Sequence, residues 1–193
     1  MAPLTRQCLL FAVGSSLFAL ATMPGFPSWA GAGAANAACF VGSWFFTTAA
    51  GLQLAAADRH RRPEWYSAAT QFVGTLLFNL STGAAVWAHV VTEQRRYVWT
   101  PDATGSLAFL ISGVLAMAAV IATSGLVAVR SRAWLAAALN LMGCLAFGVS
   151  ATGAFIRESG VTADERLANL GTFVGALCFL AAALTSLPRS SRR

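Results

Sequence analysis

Few side chains in this sequence are of types that could do chemistry, and they are thinly spread. Two histidines, His60 and His89, and four cysteines, Cys8, Cys39, Cys144 and Cys178, are the soft ligands and nucleophiles on offer. A metal centre needs such groups clustered, as CxxC pairs or with His and acidic partners at matching spacing. Each cysteine instead stands alone in an apolar run, which reads as a small apolar residue rather than a ligand or half of a disulfide. A nucleophile beside a base, or a pair of carboxylates, is missing from the apolar runs and from the gaps between them. The sequence therefore predicts no enzyme, no metal and no cofactor.

What remains is polar but uncharged. Asn79 and Asn140, with Gln71, Ser81 and Ser150, fall inside apolar runs. Such groups at mid-membrane either bind a neutral substrate or hydrogen-bond between helices, and the second use is the commoner. His89 sits two residues before the end of its run; it could handle a proton, but an interfacial side chain bonded to backbone or water is the weightier reading. No Asp, Glu, Arg or Lys is expected well inside a run, which argues against an ion-coupled pump. Asn79-Leu80-Ser81 matches a glycosylation acceptor but would be buried in lipid.

The elements that must position these groups follow from composition. Hydrophobic residues make up 57% of the 193, charged residues only 10%, and the mean hydropathy is +0.65. A soluble domain carries about 25% charged residues. Apolar stretches run over about residues 8–23, 35–56, 66–91, 105–129, 134–156 and 168–187. Each is near the roughly 20 residues a spanning helix needs. The expected fold is all-α, a single polytopic membrane bundle of about six transmembrane helices with no further domain. An alternative treats the first run as a cleaved signal peptide, with small-residue cleavage sites at 32–38. The internal motif shared with the other runs favours a retained helix.

All 13 basic residues are Arg, and nine of them (Arg6, Arg59, Arg61, Arg62, Arg130, Arg132, Arg189, Arg192 and Arg193) fall on one side of such a bundle. By the positive-inside rule both termini are cytoplasmic, and 188–193 is a short basic cytoplasmic tail. The other side holds Arg95, Arg96, Arg157 and Arg166 in loops 93–102 and 157–166, where Asp164 and Glu165 would cap the sixth helix. The cytoplasmic Arg clusters could hold anionic lipid headgroups. Charge placed this way does not suggest nucleic acid. Trp29, Trp65, Trp87, Trp99 and Trp134 lie near run ends, where amphipathic rings meet headgroups.

One pattern recurs in every run: a glycine, a small residue, two others and a phenylalanine. It begins at Gly14, Gly42, Gly74, Gly105, Gly143 and Gly175 and ends at Phe18, Phe46, Phe78, Phe109, Phe147 and Phe179. The fourth copy departs in depth, because Gly105 opens its run. Residues Trp65, Gln71, Gly74, Phe78 and Ser81 match Trp134, Asn140, Gly143, Phe147 and Ser150 at a constant offset, which favours three related helical hairpins about an axis along the membrane normal. The glycines, with a GxxxG step at Gly171 and Gly175, are the expected helix-packing motif.

The segments 99–106, 139–143 with 147–150, and 169–176 resemble a group of uncharacterised actinobacterial multi-pass membrane proteins, and the Gly-Ser-x-x-Phe hairpins look like the YrhK-like domain, a two-helix membrane module. The resemblance implies a location and a build, with no catalytic residues to carry over. The functional expectation is a non-enzymatic plasma-membrane protein that oligomerises or meets a membrane-protein partner. The alternative is a passive transporter or channel for a small neutral or apolar compound, working through a cleft lined by Gln71, Asn79, Ser81, Asn140 and Ser150.

Overall fold

The computed structural model describes residues 3–126, 128 and 131–188. It is all-helical, with no strand among the described residues beyond an isolated bridge between Ile156 and Thr162. In chain order the elements are α1 (Pro3–Thr22), α2 (Phe26–Ala30), α3 (Ala32–Ala56), α4 (Arg62–Ala84), α5 (Val91–Glu93), a π-helical segment (Gln94–Trp99), α6 (Thr100–Ser124), α7 (Arg132–Gly153) and α8 (Glu165–Ser186). Five helical stretches are long and apolar enough to cross a membrane: α1, α3, the continuous stretch Val91–Ser124, α7 and α8. α4 has the length but carries Arg62, Glu64, Gln71 and Asn79.

Local chemistry explains the boundaries. Gly25 and Gly31 take positive φ on either side of α2 and turn the chain between α1 and α3. Pro63 opens α4, where its missing N–H costs nothing. Ser131 caps α7 by accepting from Trp134 N, and Asp164 caps α8, its Oδ1 accepting from Leu167 N at 2.9 Å.

Two boundaries differ from the sequence reading. α4 stops at Ala84, so His89 lies outside any helix and is exposed rather than near the end of a span. The next helix starts at Val91, not at 105. The charged stretch read as a loop is helical because a π-turn precedes Pro101: this proline can neither donate to nor clear the carbonyl four residues back, and a wider turn accommodates it. Thr100 supports that turn, its hydroxyl donating to Arg95 O at 2.7 Å. Gly105 is therefore deep in its helix, at the level of the other copies.

The six long helices close into a ring in the order α1, α3, α4, α6, α7, α8, with α8 back against α1. Facing residues run in opposite directions along each hairpin, as Gly14 with Phe46 and Gly42 with Phe18 show, so neighbours are antiparallel. The inside combines buried phenylalanines and alanines with small hydroxyl side chains. Ser15, Ser43, Thr75, Ser106 and Ser112 are the largest fully buried side chains, while Leu76, Leu107, Ile111, Val114, Leu145 and Val174 face outward.

Candidate functional site

The site grows out of the repeated motif. Within each hairpin the two motif glycines touch: a Cβ on Gly14 would lie 2.9 Å from Gly42 O, one on Gly74 3.2 Å from Gly105 O, and one on Gly143 3.1 Å from Gly175 O. Each phenylalanine ring lies over the glycine of the partner helix. This interlock aims all six rings at the bundle axis. Phe18, Phe78 and Phe147 form one triangle, with centroids 5.6 to 6.3 Å apart and edges to faces. Phe179 joins Phe46 and Phe109 in a second layer at 5.9 and 6.0 Å. All six rings are at most 7% exposed and make one apolar cluster. Together they plug the axis.

On each side of the plug is a cavity. The first, about 230 Å³, opens at the end where α1 begins and α8 finishes; it is lined by Gln7, Gln53, Gln71, Asn140 and Ser186 and floored by Phe46 and Phe179. We call it the terminal vestibule. The second, about 140 Å³, opens at the opposite end; Asn36, Cys39, Ser81, Thr82, Asp102 and Thr172 line it over Phe18, Phe78 and Phe147. This is the distal vestibule.

The five polar residues picked out from sequence do not share one cleft. Gln71 and Asn140 face the terminal vestibule, and Ser81 the distal one. Ten residues of helix separate Gln71 from Ser81, a rise of about 15 Å, and the plug lies between. Asn79 and Ser150 serve helix contacts. Asn79 Nδ2 donates to Thr47 Oγ1 on α3 at 2.9 Å, and the hydroxyl of Ser150 donates to Ala168 O at 2.6 Å beside Thr172 Oγ1 at 2.8 Å. Gly171 brings α8 onto Ser150 itself, where a Cβ would be 2.8 Å away. α4 and α6 are tied by a reciprocal pair, Ser67 Oγ to Ser112 O at 2.9 Å and Ser112 Oγ to Ser67 O at 2.8 Å.

The residue that sequence reasoning missed is Asp102. Taken as part of an outward loop, it lies in α6 and faces the distal vestibule. A signal for it was present. The residues three positions before the six motif glycines are Phe11, Cys39, Gln71, Asp102, Asn140 and Thr172, and every one of them lines a vestibule. Helices running one way contribute Phe11, Gln71 and Asn140 to the terminal vestibule, and those running the other way contribute Cys39, Asp102 and Thr172 to the distal one.

Among the described residues no three His, Cys, Asp or Glu side chains converge to hold a metal ion, and all four cysteines are free. Of the basic groups, Arg59 and Arg62 flank Trp65 and Tyr66 around a shallow recess. Arg61 pairs with Glu64 at the surface, and Arg132 donates to Thr185 O and Leu187 O at the end of α8. Arg130 and the tail 189–193 lie outside the described residues. Comparison with protein-family models, curated proteins and solved structures found no match.

Proposed function

We propose that the chain is a non-enzymatic six-span protein of the plasma membrane, with both termini in the cytoplasm, whose role is structural: a fixed bundle that presents its outer face to lipid and to a partner or second copy. The observation that carries this reading is the plug. Six interlocked rings on the axis, held by glycine pairs with no room for a methyl group, favour a closed and rigid body over a conduit. α4 serves as the sixth span. Its 23 residues reach about 35 Å, and the polar side chains Ser67, Gln71 and Asn79 turn to neighbouring helices or a vestibule rather than to lipid. The arginine distribution supports the orientation, and Arg59 and Arg62 beside two aromatic rings suit anionic headgroups. The hairpin build fits the likeness to YrhK-like modules.

A second reading, a passive path for a small neutral compound, draws on the alignment of the two vestibules on one axis, with only two layers of rings between them. Hydrophobic constrictions of this kind can gate by excluding water.

Single cysteines at Gln71, Asn79, Ser81, Asn140 and Ser150, in a background without native cysteines, distinguish the two when intact cells are treated with a membrane-impermeant thiol reagent. The structural reading expects Ser81 to react from outside, Gln71 and Asn140 only after the cells are opened, and Asn79 and Ser150 slowly in both cases. Reaction at Gln71 and Asn140 from outside would mean a continuous water path and put the conduit first. Thr100 and Arg61 serve as outer and inner controls.

A further inference from the structure

The two vestibules are built on the same repeat yet differ in charge. The terminal one is lined by carboxamides and is neutral, while the distal one holds the carboxylate of Asp102. Among the described residues Asp102 has no ion pair and accepts no hydrogen bond; the only salt bridge is Arg61 with Glu64, at the other end of the molecule. The nearby guanidinium groups are turned elsewhere. Arg95 donates to Ile156 O at 2.6 Å and lies over the Phe155 ring, and Arg96 lies over Tyr97. Neither lines the cavity. A carboxylate in an apolar-floored cavity, with no counter-charge of its own, is costly unless it takes up a proton or a cation joins it.

We propose that the distal vestibule binds a small monovalent organic cation, of the alkylammonium type, with Asp102 as its counter-ion. One carboxylate balances one positive charge. A divalent ion would ask for six or more oxygen ligands, and one carboxylate would leave half its charge unbalanced. The remaining polar wall, Asn36, Ser81, Thr82 and Thr172, offers amide and hydroxyl oxygens that accept from an ammonium N–H. The volume, about 140 Å³, is several times the roughly 30 Å³ of one water and more than a bare alkali ion needs. The floor of Phe18, Phe78 and Phe147 suits the methyl or methylene part of such a cation, and aromatic surfaces favour ammonium groups. The site does not depend on which way the protein sits in a membrane or on whether the axis ever opens.

Cys39 lines the same vestibule and serves as a built-in reporter. In detergent-solubilised full-length protein with Cys8, Cys144 and Cys178 changed to Ala, Cys39 is labelled with a thiosulfonate reagent carrying an ethylammonium group and, in parallel, with its ethylsulfonate counterpart. Each rate is divided by the same reagent's rate on free cysteine. The expected result is a preference for the cationic reagent of about tenfold or more, the size of effect a charged cleft has on local ion concentration. Asp102→Asn should abolish that preference and Asp102→Glu keep it, both variants being compared only where they elute as wild type. Methylammonium should slow labelling saturably at concentrations where sodium and potassium at equal ionic strength do not. The same rate ratio in wild type and Asp102→Asn would overturn the site. Equal competition by potassium would overturn the ammonium assignment.

Discussion

Phe147 of α7 and Phe179 of α8 stack with centroids 5.3 Å apart and planes 16° from parallel, each ring lying on the glycine of the other helix. A Cβ on Gly143 would fall 2.6 Å from Phe179, and one on Gly175 would fall 2.5 Å from Phe147. Neither ring has anywhere to go, because Phe147 also meets Phe18, Phe78 and Phe109, and Phe179 also meets Phe46 and Phe109.

Gly143→Ala should therefore lower stability by about 1 to 3 kcal/mol through overpacking. Gly148→Ala, five residues on in the same helix, meets nothing within 4 Å and should change little. Reversible unfolding of both variants in mixed micelles checks the contrast. Equal effects would show that helix propensity, rather than the interlock, governs these positions.

Phe147→Ala tests the plug itself. It removes a ring that is 3% exposed and in contact with four others, and the expected loss is about 3 to 5 kcal/mol, because a rigid ring of helices can collapse only partly onto the gap. The same gap thins the barrier between the vestibules. In the variant, a cysteine at Gln71 should gain reactivity toward a reagent supplied from the distal side. A stable variant with no change in either property would mean that the neighbouring rings refill the space.

How much of this was legible in the sequence depends on which physical rule spoke. The six-fold glycine–phenylalanine pattern was plain because close backbone approach demands the smallest residue and leaves a hole the same size in every hairpin. Its meaning, two layers of rings closing the axis, required knowing that paired helices cross at the motif. The vestibules were hidden by one misplaced boundary. Arg95, Arg96, Pro101 and Asp102 look like a loop, because charge and proline normally end a span, yet a π-turn carries the helix through them. With Gly105 placed at the start of its helix, its upstream neighbour Asp102 could not be compared with Gln71 and Asn140. Asn79 carries the same carboxamide as Gln71 and Asn140, and Ser150 a hydroxyl, and only their neighbours on α3 and α8 reveal that Asn79 Nδ2 and the Ser150 hydroxyl are already engaged.

The Ser67 and Ser112 pair joins two helices by hydroxyl-to-carbonyl bonds in both directions, and Ser112 also reaches Gln71 Oε1 at 3.4 Å. Each single change to Ala should cost on the order of 1 kcal/mol. Because each hydroxyl donates to a backbone carbonyl that the alanine variants keep, the two losses should be nearly additive in the double variant, apart from the share carried by the 3.1 Å contact between the two hydroxyls. A coupling of about 1 kcal/mol or more would instead show that the hydroxyls bond mainly to each other.

Trp99 gives the last test, because it links the π-turn to the distal end of α7. Its indole Nε1 donates to Ala151 O at 2.9 Å, and its ring meets Phe155 edge to face at 4.9 Å. Ala151 is three residues from the end of the cap at Ala154, so its carbonyl is among the last four of the helix, which have few partners of their own. Trp99→Phe keeps an aromatic ring but removes the donor, and should cost about 0.5 to 1.5 kcal/mol. The loss should also be local: amide exchange should quicken over 151–156 while the plug helices stay protected near Phe147. Uniformly faster exchange along α7 would instead mark Trp99 as part of the cooperative core, and unchanged exchange would show that a water replaces the indole without loss.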